Sequence, residues 1–233
     1  MTELIQTPDA LDQFCEDMSC SPWVGVDTEF ERIRTYHPRL CLIQISTPHQ
    51  TVCIDPLAGL DLTPVARLLG CDGPLKIIHS ARQDIEVISH EIGVVPSPLF
   101  DTQIAAAFCG FGEQVGYAAL VEAICDIKLA KGYTRTAWCK RPLSTNQIAY
   151  ALDDARFLGR LYENLERNLQ SSQRLSWAQE EFNTLEGTDI LAASKSAAVE
   201  KISNAARDLT QVGQSIATAL ARWREQALSL IHI

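Results

Sequence analysis

The stretch Trp23-Val24-Gly25-Val26-Asp27-Thr28-Glu29-Phe30 constrains the chain more than any other. Its first half reads as a strand. Side chains alternate faces with a period of two, so Val24 and Val26 point one way while Asp27 and Glu29 point the other. Cα atoms two residues apart in an extended chain lie about 7 Å from one another, close enough for the two carboxylates to repel and close enough to hold one divalent cation between them. The alternative is an edge strand whose acidic face is simply solvated, and for an isolated D-x-E that is the commoner case. The rest of the chain decides between them.

With 233 residues, 46% of them hydrophobic and 21% charged, the chain is long enough for one large domain with an appendage and an ordinary buried core. Its eight cysteines (15, 20, 41, 53, 71, 109, 125, 139) form no C-x-x-C pair and no matched Cys/His set. Neither a zinc site nor a disulfide framework is indicated, and reduced thiols in a cytoplasmic protein are expected. The N-terminal MTELIQTPDALDQF carries acids where a secretory signal carries basic residues, and no run approaches the roughly 18 apolar residues of a membrane span, so no membrane association is expected. No obligate protein partner is indicated either. A net charge of −9 argues against a protein that coats nucleic acid by overall charge. Local distribution says more. From Arg32 to Ile54 there is no acid but Arg32, Arg34 and Arg39; from Ile127 to Leu152 there is again none, but Lys128, Lys131, Arg135, Lys140 and Arg141, with Tyr133 and Trp138 interleaved. Two such segments can form a phosphate-binding surface, with ordinary solvated loops as the alternative.

Around the acidic strand the pattern predicts a helix over 7–19 opening at Thr7-Pro8, then strands RLCLIQIS (39–46) and QTVCIDP (50–56) joined as a hairpin through Thr47-Pro48-His49. A helix over 61–69 ends at Gly70. The strand LKIIH (75–79) runs directly into a helix, SARQDIEVISHEIG, with a capping box in Ser80-x-x-Gln83 and Asp84 in its first turn, where the helix dipole favours negative charge. His79 reads as a satisfied structural histidine. Short helices follow over 101–109 and 117–124. Ser144-Thr145-Asn146-Gln147 is a second capping box, opening one long amphipathic helix to about residue 169. On it Tyr150 and Asp154 share a face, while Asp153 is rotated away by about 100°. Residues 171–233 are helix-forming and show no strand signal.

Asp27, Glu29, Asp84, Tyr150 and Asp154, in this order, resemble the tyrosine-bearing branch of the DEDD 3′–5′ exonuclease superfamily, and within it the ribonuclease D family. The likeness runs over about residues 20–170, through DTEFERIRTYHPRLCLIQIS, IDPL, HSARQDIEVI, FDTQIAAAF and LAKGYTRTAWCKRPLSTNQIAYALDDARFL. It implies an α/β fold, a ribonuclease H-like mixed sheet flanked by helices, as an exonuclease domain over 1–170. A helical C-terminal extension over 171–233 would follow, in which ALARWREQA resembles the start of a truncated HRDC-like domain. It also implies two divalent metal ions, Mg²⁺ or Mn²⁺. Asp27 would bridge them, Glu29 and Asp154 would bind the one that carries the attacking water, and Asp84 would bind the other, partly through water. Tyr150 would orient that water. The implied substrate is RNA with a free 3′ end, tRNA precursors among them, cut to nucleoside 5′-monophosphates. Thr28, Phe30, Lys131, Arg135 and Trp138 are the candidate substrate contacts. Ala137 departs from the family pattern, where an acid is common, and is expected to touch substrate detail rather than metal chemistry. The rival readings are a DNA 3′–5′ exonuclease and a catalytically silent nucleic-acid-binding domain.

Overall fold

The acid-bearing stretch is a strand, β2 (Trp23–Glu31), and the sheet is laid out on both sides of it. The computed structural model describes residues 3–32, 37–130, 132, 136–187 and 199–230, so Arg34, Lys131, Tyr133 and Arg135 lie outside the described residues. β2 pairs antiparallel with β3 (Arg39–Ser46), and β3 antiparallel with β4 (Thr51–Ile54), the hairpin expected from the Thr47-Pro48-His49 break. On its other side β2 pairs parallel with β5 (Leu75–Ile78), and β5 parallel with β6 (Leu99–Asp101). A short β1 (Leu4–Ile5) adds parallel to β4, giving the order β1-β4-β3-β2-β5-β6 among the described residues. β1 and β6 escape the sequence reading because two or three residues are too few for alternation to register.

Helices α1 (Pro8–Met18), α2 (Thr63–Leu69), α3 (Arg82–Glu91), α4 (Thr102–Phe108), α5 (Tyr117–Cys125), α6 (Thr145–Arg156), α7 (Leu158–Ser171) and α8 (Leu175–Glu186) complete this part. The apolar stripe of α7, Leu158, Leu161, Leu165 and Leu169, closes over Ile77 and Phe100 of the sheet together with Phe182 of α8. α6 covers the hairpin side, with Ala151 and Leu152 against Cys41, Leu42 and Cys53. Two close approaches demand glycine. A Cβ on Gly25 would stand 2.2 Å from Ser46 Oγ and 2.9 Å from Leu158 Cβ, and one on Gly159 would stand 2.2 Å from two ring carbons of Trp23. These contacts put Trp23, Gly25 and Asp27 on the face that α6 and α7 cover, and Val24 and Val26, both fully buried, on the opposite one.

Two expectations for the helices need correction. α3 begins at Arg82 with no side-chain cap from Ser80, whose backbone is left-handed (φ 61°). The N–H groups of Ser80 and Ala81 go instead to the carboxylate of Asp101 (3.1 and 2.8 Å), which also accepts Gln103 N–H (2.7 Å) and Ile104 N–H (3.2 Å) at the start of α4. One acid therefore satisfies the entry to two helices, and a cap 20 residues away displaces the local box. The second concerns the long helix predicted to residue 169, which is two: α6 stops at Arg156, Phe157 takes φ −99° and ψ −1°, and α7 starts at Leu158. Its predicted opening does form, with Ser144 and Gln147 making the reciprocal capping box.

The chain divides into two compact units, Met1–Glu31 with Arg39–Glu186, and Arg32–Pro38 with Gly187–Ile233. Within the second, a helical segment at 199–205 and the helix Gln211–Leu230 meet through Ser203 Oγ and Thr218 Oγ1 (3.0 Å). No helix among the described residues is long and apolar enough to cross a membrane.

The expectation of reduced thiols throughout is also corrected: Cys41 of β3 and Cys139, in the segment before α6, form a disulfide. That segment is tied down further. Arg141 donates to both oxygens of the buried Asp55 (2.8 and 2.6 Å) and to the carbonyls of Cys41 and Trp138 (2.6 Å each). Cys139 N–H donates to the Glu31 carboxylate (2.9 Å). The disulfide joins residues 98 apart, and closing so long a loop restricts the unfolded chain substantially. Reduction, or Cys139→Ser, is expected to cost about 2–4 kcal/mol and to lower the thermal midpoint by roughly 5–15 °C, read by thermal unfolding with and without a phosphine reductant; the Cys139→Ser protein should not respond to the reductant.

Candidate active site

Asp27 and Glu29 project from the α6 face of β2, and α6 lays Asp154 against them. One oxygen from each of the three lies within 4.8 Å of the other two. The neighbouring Asp153 is turned away and pairs with Arg156 (2.7 Å), which settles that Asp154 is the acid of α6 that faces the strand. Asp84 arrives separately. It stands in the first turn of α3, is buried, and accepts the hydroxyl of Thr28 at 2.5 Å. It is not one of the three clustered acids, yet its charge is the largest of those that bear on Asp27. Tyr150, one turn before Asp154, donates its hydroxyl to the Asp154 carboxylate.

Every one of these acids is pushed toward its neutral form. Burial raises Asp27 well above the ordinary aspartate value, reinforced by Asp84, Asp154 and Glu29 in that order. Burial, then Asp154 and Asp84, raise Glu29 to about 8. Burial raises Asp154 to about 7, against the hydrogen bond from Tyr150, and raises Asp84 to about 7, against the one from Thr28. Like charges brought together in a low-dielectric site cannot all ionise cheaply. A hard divalent cation fits this donor set, because it takes carboxylate oxygens and cancels the repulsion. On the same face Gln44, cross-strand from Asp27, is fully buried and its amide has no hydrogen-bond partner among the described residues, a second sign of a site built around a polar occupant.

The remaining candidates fall into three groups. Phe30 is half-buried and follows a register irregularity between Glu29 and Phe30, the kind of bulge that re-aims a side chain beside a site. Trp138 is 2% exposed and sits in the apolar cluster of Cys41, Leu42 and Ala151, its ring 6.3 Å from that of Tyr150. In this structure it backs Tyr150 and presents no face to solvent. Lys131 and Arg135 lie outside the described residues. His79 is held through both ring nitrogens, by Thr102 Oγ1 (2.9 Å) and the Val115 carbonyl (3.1 Å), as a structural histidine should be. A cavity of about 200 Å³ over Asp27, Glu29 and Asp154 is lined in addition by His79 and Tyr117. Tyr117 carries no motif that a sequence reading could catch. A second cavity of about 230 Å³, lined by Tyr150, Asn146 and Leu129, shares Asp154 with the first.

A mixed sheet with two acids on its central strand, a third on a covering helix and helices on both sides has the ribonuclease H-like α/β architecture. Residues 2–170 match the 3′–5′ exonuclease domain family, and the chain belongs to that family. Among curated relatives, the Ribonuclease D of Jannaschia sp. (strain CCS1) is 42% identical over 233 residues, covering 97% of this chain and 59% of the relative. The Ribonuclease D of Acidiphilium cryptum (strain JF-5) is 37% identical over 231 residues, covering 99% and 58%. The chain thus spans about three fifths of the length of these relatives. Among solved structures it is similar to Escherichia coli RNase D, described as an exoribonuclease involved in structured RNA processing. The TM-score is 0.87 at 34% identity, over 98% of this chain and 61% of that one. Brucella melitensis NrnC with bound Mg²⁺ gives a TM-score of 0.64 at 26% identity, over 73% and 84%.

The raised values set the sign of a pH effect. In the folded chain Glu29 holds its proton to about pH 8, and Asp84 and Asp154 to about pH 7, whereas unfolded they release it near 4.5 and 3.8. Between those limits the folded state binds more protons than the unfolded state, so stability falls as pH rises. In EDTA the thermal midpoint should decline from pH 5 to pH 8. Added Mg²⁺ or Mn²⁺ should raise it more at pH 8 than at pH 5, and Glu29→Gln should raise the EDTA midpoint at pH 8.

Proposed function

We propose that the chain carries a metal-dependent 3′–5′ exoribonuclease activity that shortens RNA from a free 3′ end, releasing nucleoside 5′-monophosphates, with trimming of tRNA precursors in the cytoplasm as its use. The carrying observation is the meeting of Asp27, Glu29 and Asp154 oxygens within 4.8 Å in a chain of the 3′–5′ exonuclease family. The RNA preference is supported by the relatives named Ribonuclease D.

Asp27, Glu29 and Asp154, with Asp84 alongside, are the residues that would hold two Mg²⁺ or Mn²⁺ ions. Bound there, such ions supply Lewis-acid polarisation of the phosphoryl oxygens and a more acidic water. The protein's own groups do the positioning. Tyr150, hydrogen-bonded to Asp154 and backed by Trp138, orients the attacking water. A free tyrosine titrates near 10, which makes it an orienting group rather than a base at neutral pH. Thr28 holds Asp84 in place, and Phe30, beyond the bulge, packs against the terminal base with Thr28 and Glu29 beside the terminal ribose. Lys131 and Arg135 guide the incoming strand.

Matched 5′-labelled RNA and DNA oligomers test this. RNA should shorten stepwise from its 3′ end only with Mg²⁺ or Mn²⁺, yielding 5′-mononucleotides, and Asp27→Asn should lower the rate by roughly 1,000-fold or more. Faster removal of DNA would replace the substrate; no mononucleotide release under any metal condition would leave a binding domain.

A further inference from the structure

At the break between α6 and α7 one bond of the helical ladder is replaced by a side chain. In an uninterrupted helix the N–H of Phe157 would donate to the carbonyl of Asp153. Here the hydroxyl of Tyr117 stands between them, accepting Phe157 N–H at 3.2 Å and donating to Asp153 O at 3.0 Å. A group inserted into the i→i−4 ladder opens and bends a helix at that point. The turn so opened begins with Asp154. We propose that Tyr117 is a positioning residue for Asp154: its inserted hydroxyl sets where that carboxylate stands relative to Asp27 and Glu29.

The hydroxyl is well placed to fix a geometry. Tyr117 is the first residue of α5, and its ring meets that of His79 edge-on with centroids 5.6 Å apart. His79 is itself clamped at both nitrogens, by Thr102 directly after the double cap Asp101 and by the Val115 carbonyl two residues before Tyr117. The single hydroxyl proton is committed to Asp153, so the group is not free to trade protons with a substrate. Burial pushes the phenol well above its ordinary value, which keeps it neutral and the two bonds intact at any working pH. Tyr150 steadies the Asp154 carboxylate from within α6, whereas Tyr117 fixes the backbone that carries it from another helix. Groups that orient a metal ligand from behind commonly change metal affinity about 10- to 100-fold when removed.

The inference rests on Asp154 being a metal ligand, and the experiment separates the two. Tyr117→Phe keeps the ring and lets Phe157 N–H and Asp153 O bond each other directly, closing the turn and moving Asp154. In the full chain without RNA, Mn²⁺ affinity read by electron paramagnetic resonance of the free ion should fall about 10- to 100-fold. The thermal midpoint in EDTA should stay within a few degrees of the parent, and RNA cleavage should return toward the parent rate as Mn²⁺ is raised to saturation. Parent-like Mn²⁺ affinity would overturn the proposal, as would a loss of cleavage that saturating Mn²⁺ does not restore. Asp154→Asn is the control. If it abolishes tight Mn²⁺ binding while Tyr117→Phe does not, only the role of Tyr117 falls; if it binds Mn²⁺ like the parent, the metal role of Asp154 falls and takes this proposal with it.

Discussion

Crowding acids into a place that disfavours their charge is the constraint the rest of the structure answers. Among the described residues, Arg141 pairs with Asp55 and Arg156 with Asp153, not with these acids. Asp55 shows what pairing does. Burial pushes its carboxyl up, but hydrogen bonds from Arg141 and Gln6, the Arg141 charge and the Leu57 N–H more than offset that, and it ends below the ordinary value. Asp84 receives the Thr28 hydroxyl and the backbone N–H groups of Asp84 and Thr28, and Asp154 the Tyr150 hydroxyl; these donors carry no charge, and both acids end near 7. The same side-chain chemistry is thus a source of stability in one place and a cost in the other. A fold tolerates such a cost where the group is needed for something besides stability.

Holding mutually repelling groups in register takes a rigid support, and much of it comes from Asp101. It sits at the end of β6, accepts four backbone N–H groups, and so fixes the start of α3 and the start of α4 together. The first of these delivers Asp84 within its opening turn. The second places Thr102 against His79, and His79 against Tyr117. An acid outside the site, saturated by donors, therefore sets the geometry of acids inside it that are not.

What could be read from the chain beforehand follows the range of the forces involved. β3 has the predicted bounds 39–46 because an apolar, β-branched run between Pro38 and Thr47-Pro48, buried from Leu40 to Ser46, reads as a strand with no knowledge of the fold. The Ser144–Gln147 box is legible because both partners lie within one turn. Asp27 and Glu29 share a face by the pleat alone, and Asp154 shares one with Tyr150 by helical spacing. Ser80-x-x-Gln83 had the right residues for a cap and lost to Asp101, a competitor visible only once β5 and β6 lie side by side. The interruption at Phe157 was hidden likewise, since its apolar spacing continues unbroken through the joint and the cause sits on α5. Cys41 and Cys139 meet because β3 and the segment before α6 are brought together by packing, which no spacing encodes.

α6 is consequently held at both ends by residues that are not its own. Ahead of its N-terminus, the Cys41–Cys139 bond and the Arg141 hydrogen bonds to Asp55 and the Cys41 carbonyl moor the approach to the β3–β4 hairpin. At its C-terminus the Tyr117 hydroxyl accepts the Phe157 N–H where the ladder is interrupted, and in α7 Gly159 allows the close approach to Trp23. Tyr150 and Asp154 lie between these anchors. The distance from Asp154 to Asp27 and Glu29 is then a property of how the whole helix is seated, because the charges of these three acids repel one another. A site made of groups that push one another apart keeps its dimensions through supports outside it, and those of this chain include the Asp101 double cap and the anchors at the two ends of α6.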